Sequence, residues 1–134
     1  MNSKITGNKS TAKILSKLLD LGYKVSIPFG DDTRYDLIAD TGKKLLRIQC
    51  KTAWMQNGCV AFNHRSITTK NGREISVAYT TDDIDLLLIY SPELDKIYSV
   101  PIGTSSTLRV KQPKSNQKKN IKWAKDYEFN GDVV

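Results

Sequence analysis

The sequence predicts an α/β sandwich built around a mixed β-sheet. Three observations carry this reading: an amphipathic helical stripe near the amino terminus, a run of short apolar strands separated by turn residues, and a late strand pair followed by a short helix. At 134 residues the chain is most simply one domain spanning 1–134, large enough for a real core but with little room for a second.

Between Asn8 and Leu21, the residues Ala12, Ile14, Leu15, Leu18, Leu19 and Leu21 recur at helical spacing, while Lys9, Lys13 and Lys17 repeat on another face. Gly22 supplies the stop. Lys24 to Phe29 reads as a short edge strand or extended lead-in because Pro28 interrupts it. Tyr35 to Asp40 is a strand, 40–43 a turn, and Leu45 to Ala53 the next strand. Asn57-Gly58 signals a hairpin leading into the strand Cys59 to Phe62, and Asn71-Gly72 joins Ser66–Lys70 to Glu74–Val77. Asp85 to Tyr90 is apolar after its first residue and reads as a central strand. The turn-forming residues 91–95 separate it from its partner, Lys96 to Ile102. After Thr104 a basic loop, interrupted by Pro113, settles into a short helix from about Lys119 to Tyr127.

Composition is that of a globular protein, with 39% hydrophobic and 26% charged residues. No apolar stretch is long enough to span a bilayer, and the amino terminus lacks the apolar core of a signal peptide. Cys50 and Cys59 therefore read as reduced thiols of an intracellular protein, cytoplasmic or nucleoid-associated. With His64 the sole histidine, zinc is disfavoured. A net charge of +7 points to a polyanionic partner. The charge is concentrated in segment 104–127, where Arg109, Lys111, Lys114, Lys118, Lys119, Lys122 and Lys125 occur with no acidic residue before Asp126. The stretch from Tyr79 to Leu94 is acidic instead, so the domain has a polyanion-facing side and a solvent side.

The densest chemistry lies at Asp36 and Gln49-Cys50-Lys51. Residues i and i+2 of a strand share a face. Gln49 and Lys51 therefore project together, with Arg47 behind them, while Leu46, Ile48 and Cys50 face the core. Metal-assisted phosphodiester hydrolysis requires oxygen ligands for Mg²⁺, a positioned water and positive charge near the phosphate. Asp36 offers a carboxylate, Gln49 an amide oxygen, and Cys50 its backbone carbonyl as metal ligands. Lys51 is placed to orient the water and to stabilise phosphate charge. Arg34 is a partner for phosphate or for an Asp. His64 is structural or a DNA contact, and Cys50, facing the core, is no nucleophile.

The segment 22–37, with Pro28-Phe29-Gly30-Asp31-Asp32-Thr33-Arg34-Tyr35-Asp36, followed by Leu46-Arg47-Ile48-Gln49-Cys50-Lys51-Thr52, resembles the group I intron-associated homing endonucleases of the PD-(D/E)XK nuclease superfamily. The similarity continues through Asp83-Ile84-Asp85, through Tyr90-Ser91-Pro92-Glu93 with Tyr98-Ser99-Val100-Pro101, and through Asn116-Gln117 with the block 123–128. It implies a restriction-endonuclease-like core, a central mixed β-sheet flanked by helices, that cuts double-stranded DNA with Asp36, Gln49, Lys51 and Mg²⁺, for which Mn²⁺ can substitute. Relatives carry a Glu on the first helix in a Gly-Glu-Ala-Lys-like pattern. Here Ser10-Thr11-Ala12-Lys13 stands there, leaving Thr11 as an accessory residue and Asp36 as the one ionised ligand.

The expected function is thus a Mg²⁺-dependent, site-specific DNA endonuclease acting as a homodimer or homotetramer, since one subunit holds one site and two strands must be cut. The alternatives are a DNA-binding module that has lost catalysis on the same fold and a structure-selective Holliday-junction resolvase. DNA binding falls to Arg34, Arg47 and the basic residues of 104–127. His64, Arg65, Lys70 and Arg73 lie near the two Asn-Gly hairpins, which either enter a major groove as β-ribbons or remain plain surface hairpins.

Overall fold

A computed structural model describes residues 3–30, 32–103, 106–113 and 120–131. Lys114, Lys118 and Lys119 lie outside them, as does the start of the short helix expected from Lys119. The chain order is α1 (Ser3–Asp20), β1 (Lys24–Ser26), β2 (Leu37–Asp40), β3 (Leu45–Thr52), β4 (Trp54–Gln56), β5 (Cys59–Ala61), β6 (Arg65–Lys70), β7 (Arg73–Ala78), β8 (Leu86–Ser91), β9 (Lys96–Val100), β10 (Thr107–Arg109) and a 3-10 helix at Ala124–Tyr127.

Helix α1 begins earlier than the apolar stripe because its first turns stand off the sheet; burial starts at Ser10 and continues at Ile14 and Leu18. It ends in a Schellman motif. The Tyr23 amide donates to the Leu18 carbonyl at 3.1 Å and that of Gly22 to Leu19 at 2.9 Å, with Gly22 at φ 84°.

The central sheet has the order β1-β2-β3-β8-β9. Strands β3 and β8 pair in parallel, Ile48 opposite Leu86 through Thr52 opposite Tyr90, and the other neighbours are antiparallel. The sheet is therefore mixed, as the sequence predicts. Strand β8 is central and buried on both faces, which explains its unbroken apolar run. Its Leu88 and Tyr90 join Ile14, Leu18 and Ile48 beneath α1. Its Leu87 and Ile89 join Val60, Phe62, Tyr79 and Leu108 on the other face.

That second face is covered by a three-stranded sheet, β10-β5-β4, rather than by a second α-helix. Strand β10 falls where the sequence predicts a basic loop: Leu108 is buried opposite Val60, while Thr107 is exposed. The predicted carboxy-terminal helix contracts to the 3-10 turn at Ala124–Tyr127, anchored by buried Ala124. Trp123 bridges Arg109, and Glu128 bridges Tyr98. The connection from β3 to its parallel neighbour β8 contains both Asn-Gly hairpins, β4–β5 and β6–β7. Asn57, Gly58, Asn71 and Gly72 all have positive φ, as a two-residue type I′ turn demands. No helix among the described residues is long and apolar enough to cross a membrane. Both cysteines are buried free thiols.

Candidate active site

Asp36 directly precedes β2. Its amide donates to the Ile48 carbonyl at 2.8 Å, although Ile48 already opposes Leu37 in the β2–β3 register. Its carboxylate reaches further along β3 and accepts from the Cys50 amide at 3.0 Å. Strand alternation turns Leu46, Ile48 and Cys50 into the core and leaves Arg47, Gln49 and Lys51 half-buried on the opposite side. Asp36 and Gln49 line one cleft of about 470 Å³ together with residues 32–34, Ser66, Val77 and Tyr79.

Burial pushes the Asp36 carboxyl above its ordinary value, against the opposing pull of the Cys50 amide and the Lys51 ammonium. Burial likewise lowers the Lys51 ammonium, with the Asp36 charge opposing and Arg34 adding repulsion. Lys51 Nζ donates to the Arg65 carbonyl at 3.2 Å and lies 5.3 Å from the centre of the Tyr79 ring. On that ring the Arg34 guanidinium sits at 4.6 Å, so one buried aromatic holds two cations. Gln49 directs its amide N–H onto the Cys50 carbonyl at 3.2 Å.

The donors suit a hard divalent cation. A carboxylate whose charge burial disfavours gains from a neighbouring cation, and Gln49 and Cys50 contribute neutral oxygens. The set holds a single carboxylate, and no group of three or more His, Cys, Asp or Glu suited to a metal occurs among the described residues. A rotation of the Gln49 amide is needed to turn its oxygen toward the Cys50 carbonyl that it now caps.

Arg34 takes one of its two expected partners, an Asp, and several other predicted residues take other positions. Arg34 faces Asp83, with Nη1 2.6 Å from Oδ2, and also donates to the Val77 and Ala78 carbonyls. Thr80 and Arg34 together outweigh burial and hold Asp83 below its ordinary value. Arg47 is bound to Asp85 at 3.1 Å and to the carbonyls of Thr81 and Asp82. Thr11 lies against the Cys50 thiol, which puts it on the helix side of β3, away from the Gln49 and Lys51 side chains. That thiol is pushed far up by burial and by Asp36, which makes it inert. Arg65 donates to Ser76 Oγ at 2.7 Å, and His64 Nδ1 is buried without a hydrogen-bond partner among the described residues.

Arg109 and Lys122 line a separate opening with Cys59 and Thr107. The Arg109 guanidinium donates to the Asn57 carbonyl at 2.9 Å, and the Val110 and Lys111 amides both donate to Gly58. Residues 109–111 thus close over the Asn57-Gly58 turn. A larger cleft of about 630 Å³ beside α1 is rimmed by the ion pairs Lys13–Asp95 and Lys96–Glu128, so part of its charge is internally balanced.

Tyr79, Asp83 and Ser66 escape sequence reasoning as site residues. They come from the base of the β6–β7 hairpin and the turn after it, and no spacing rule connects them to Asp36. The one available signal was Asp83-Ile84-Asp85, conspicuous as a paired-acid motif before the central strand.

A family model described as PD-(D/E)XK endonuclease matches residues 1–130. A solved structure described as a bacterial homing endonuclease, I-Ssp6803I, shares the fold at a TM-score of 0.75 and 24% identity, over 96% of this chain and 89% of that one. Comparison with curated proteins finds no match.

Proposed function

The chain belongs to the PD-(D/E)XK endonuclease family and has its restriction-endonuclease-like α/β fold, and from that premise we propose that it is a Mg²⁺-dependent endonuclease cutting duplex DNA at specific sites, in the manner of homing enzymes. The observation that carries the proposal is the convergence of Asp36, Gln49 and Lys51 where β2 meets β3, beside an open cleft. The likeness to a bacterial homing endonuclease supports the site-specific, homing part of the reading. Residues 1–134 make up one catalytic domain with a basic segment at 104–127.

Asp36, Gln49 and the Cys50 carbonyl would hold the metal, with Mn²⁺ as a substitute. When bound, it supplies Lewis acidity to the phosphate and lowers the pKa of water. Asp36 is fixed by the Cys50 amide, so its free oxygen is presented toward the cleft without losing its anchor. Lys51 keeps an ammonium next to that carboxylate, where it neutralises charge developing on the phosphate and orients the attacking water. Tyr79 and the Arg65 carbonyl define where the ammonium sits. Thr11, lying against the Cys50 thiol, acts on the metal site only through β3. Lys70, Arg73, Arg109, Lys111 and Lys122 supply phosphate contacts.

Cleavage of supercoiled plasmid with Mg²⁺ or Mn²⁺ tests the reading. Lys51→Ala is expected to lower the rate by about 10²-fold or more, in the range seen when one transition-state charge stabiliser is removed. Equal nicking by both proteins would remove Lys51 from the mechanism. The scarcity of carboxylates favours one second reading, a DNA-binding module without catalysis. Calorimetric titration of Mg²⁺ in the presence of DNA separates the two, because such a module shows no metal heat that depends on Asp36.

A further inference from the structure

Strands β6 and β7 pair only with each other, and β7 is exposed from Arg73 to Val77. A lone two-stranded ribbon is marginal in water, so its base must be held. It is held by the two cations of the candidate site. Lys51 Nζ grips the Arg65 carbonyl at 3.2 Å, and the Arg34 guanidinium grips those of Val77 and Ala78 at 3.0 and 3.1 Å.

Register divides the ribbon into two unlike faces. Ser66 opposes Val77 and Lys70 opposes Arg73, with Ile75 between them on the same side. Arg65 opposes Ala78, Ile67 opposes Ser76, and Thr69 opposes Glu74 on the other side. The first face begins inside the cleft, because Ser66 and Val77 line it with Asp36 and Gln49. It then runs outward through Ile75, 39% exposed, to two cations. The second face carries Glu74, the one acidic residue of the hairpin, and its Arg65 is bonded to Ser76.

We infer that the face carrying Val77, Ile75, Arg73 and Lys70 lies on duplex DNA in its major groove, and that the opposite face turns away from it. The inference rests on the endonuclease reading and specifies how the cleft extends along the duplex. A two-stranded ribbon fits the major groove in width. The four steps of strand from Val77 to Arg73 span about 13 Å, equivalent to about four base pairs at 3.4 Å each. Lys70 and Arg73 would therefore touch DNA about four base pairs beyond the point where Val77, at the cleft, meets the duplex. Ile75 offers an apolar surface to base edges in between.

The test adds or removes charge on each face and measures binding of a fluorescein-labelled 40-base-pair duplex of mixed sequence, without divalent metal, over a range of salt. Ile75→Lys should steepen the slope of log K against log salt by about 0.9. Thr69→Lys, the same charge on the other face, should leave the slope unchanged. The double variant Lys70→Ala/Arg73→Ala should flatten it by about 1.8. Both lysine substitutions are at exposed positions, so the comparison stands even if the double variant folds poorly. Equal slopes for Ile75→Lys and Thr69→Lys would overturn the face assignment while leaving the endonuclease reading intact. A wild-type protein that binds no duplex at any salt would overturn both.

Discussion

Asp36 and Lys51 are displaced toward their neutral forms by the same burial, each restrained by the charge of the other. For Asp36 the folded pKa lies above the ordinary 3.8, so the folded chain keeps a proton that the unfolded chain has lost, and stability falls as pH rises through that window. For Lys51 the folded pKa lies below 10.5, and stability rises with pH through the window beneath it. The proposed activity needs the opposite states, an ionised Asp36 and a protonated Lys51. The pH–rate profile should therefore be a bell, with an acid limb above pH 3.8 and an alkaline limb below pH 10.5. The acid limb should move down as Mg²⁺ is raised, because metal and proton compete for one carboxylate. Lys51→Arg should erase the alkaline limb, since guanidinium does not titrate there. An alkaline limb unchanged in that variant would assign it to another group. The alternation that exposes Gln49 and Lys51 was legible from residue types alone. The Tyr79 ring that positions Lys51 was not, because it returns to the site only after the chain has run out along a hairpin and back.

At the scale of elements, legibility followed how local each cause is. Helix α1, the β1–β3 meander, β8 with β9, and both Asn-Gly turns are written in periodicity and turn chemistry, although α1 starts at Ser3 rather than Asn8, β1 stops at Ser26 and β2 starts at Leu37. Strand β10 was not, since its pairing with β5 is a tertiary choice made by one buried residue, Leu108, within a basic run. The ribbon β6–β7 shows the same division. Its turn is local, but its attachment depends on Arg34, which is bonded to Asp83 and to two β7 carbonyls. Arg34→Ala removes these charge-assisted bonds from a side chain only 28% exposed, and should cost about 2 kcal/mol. The loss should be unevenly distributed. Hydrogen exchange should accelerate first at amides of 65–78, with β3 and β8 retaining their protection. Uniform acceleration across the domain would show that Arg34 supports the core rather than the ribbon.

The whole molecule presents one Asp36/Gln49/Lys51 site per chain, whereas a duplex has two strands of opposite polarity. A double-strand cut therefore needs two copies arranged about the DNA, or one copy binding twice. These routes leave different kinetic signatures. Two copies acting together convert supercoiled plasmid directly to linear product, while sequential visits accumulate nicked circles. Mixing wild type with Lys51→Ala at constant total protein sharpens the distinction. In a dimer that exchanges subunits, the yield of linear product should fall as the square of the active fraction, and nicked circles should rise to a maximum near equal mixing. A linear decline without excess nicking would mean that each chain acts alone. Light scattering on the free protein provides the companion measurement, with the mass of two or four chains expected at micromolar concentration. The wild-type/variant mixture is the stricter test because it reads assembly on DNA, where the basic surface brings the copies together whether or not they associate in solution.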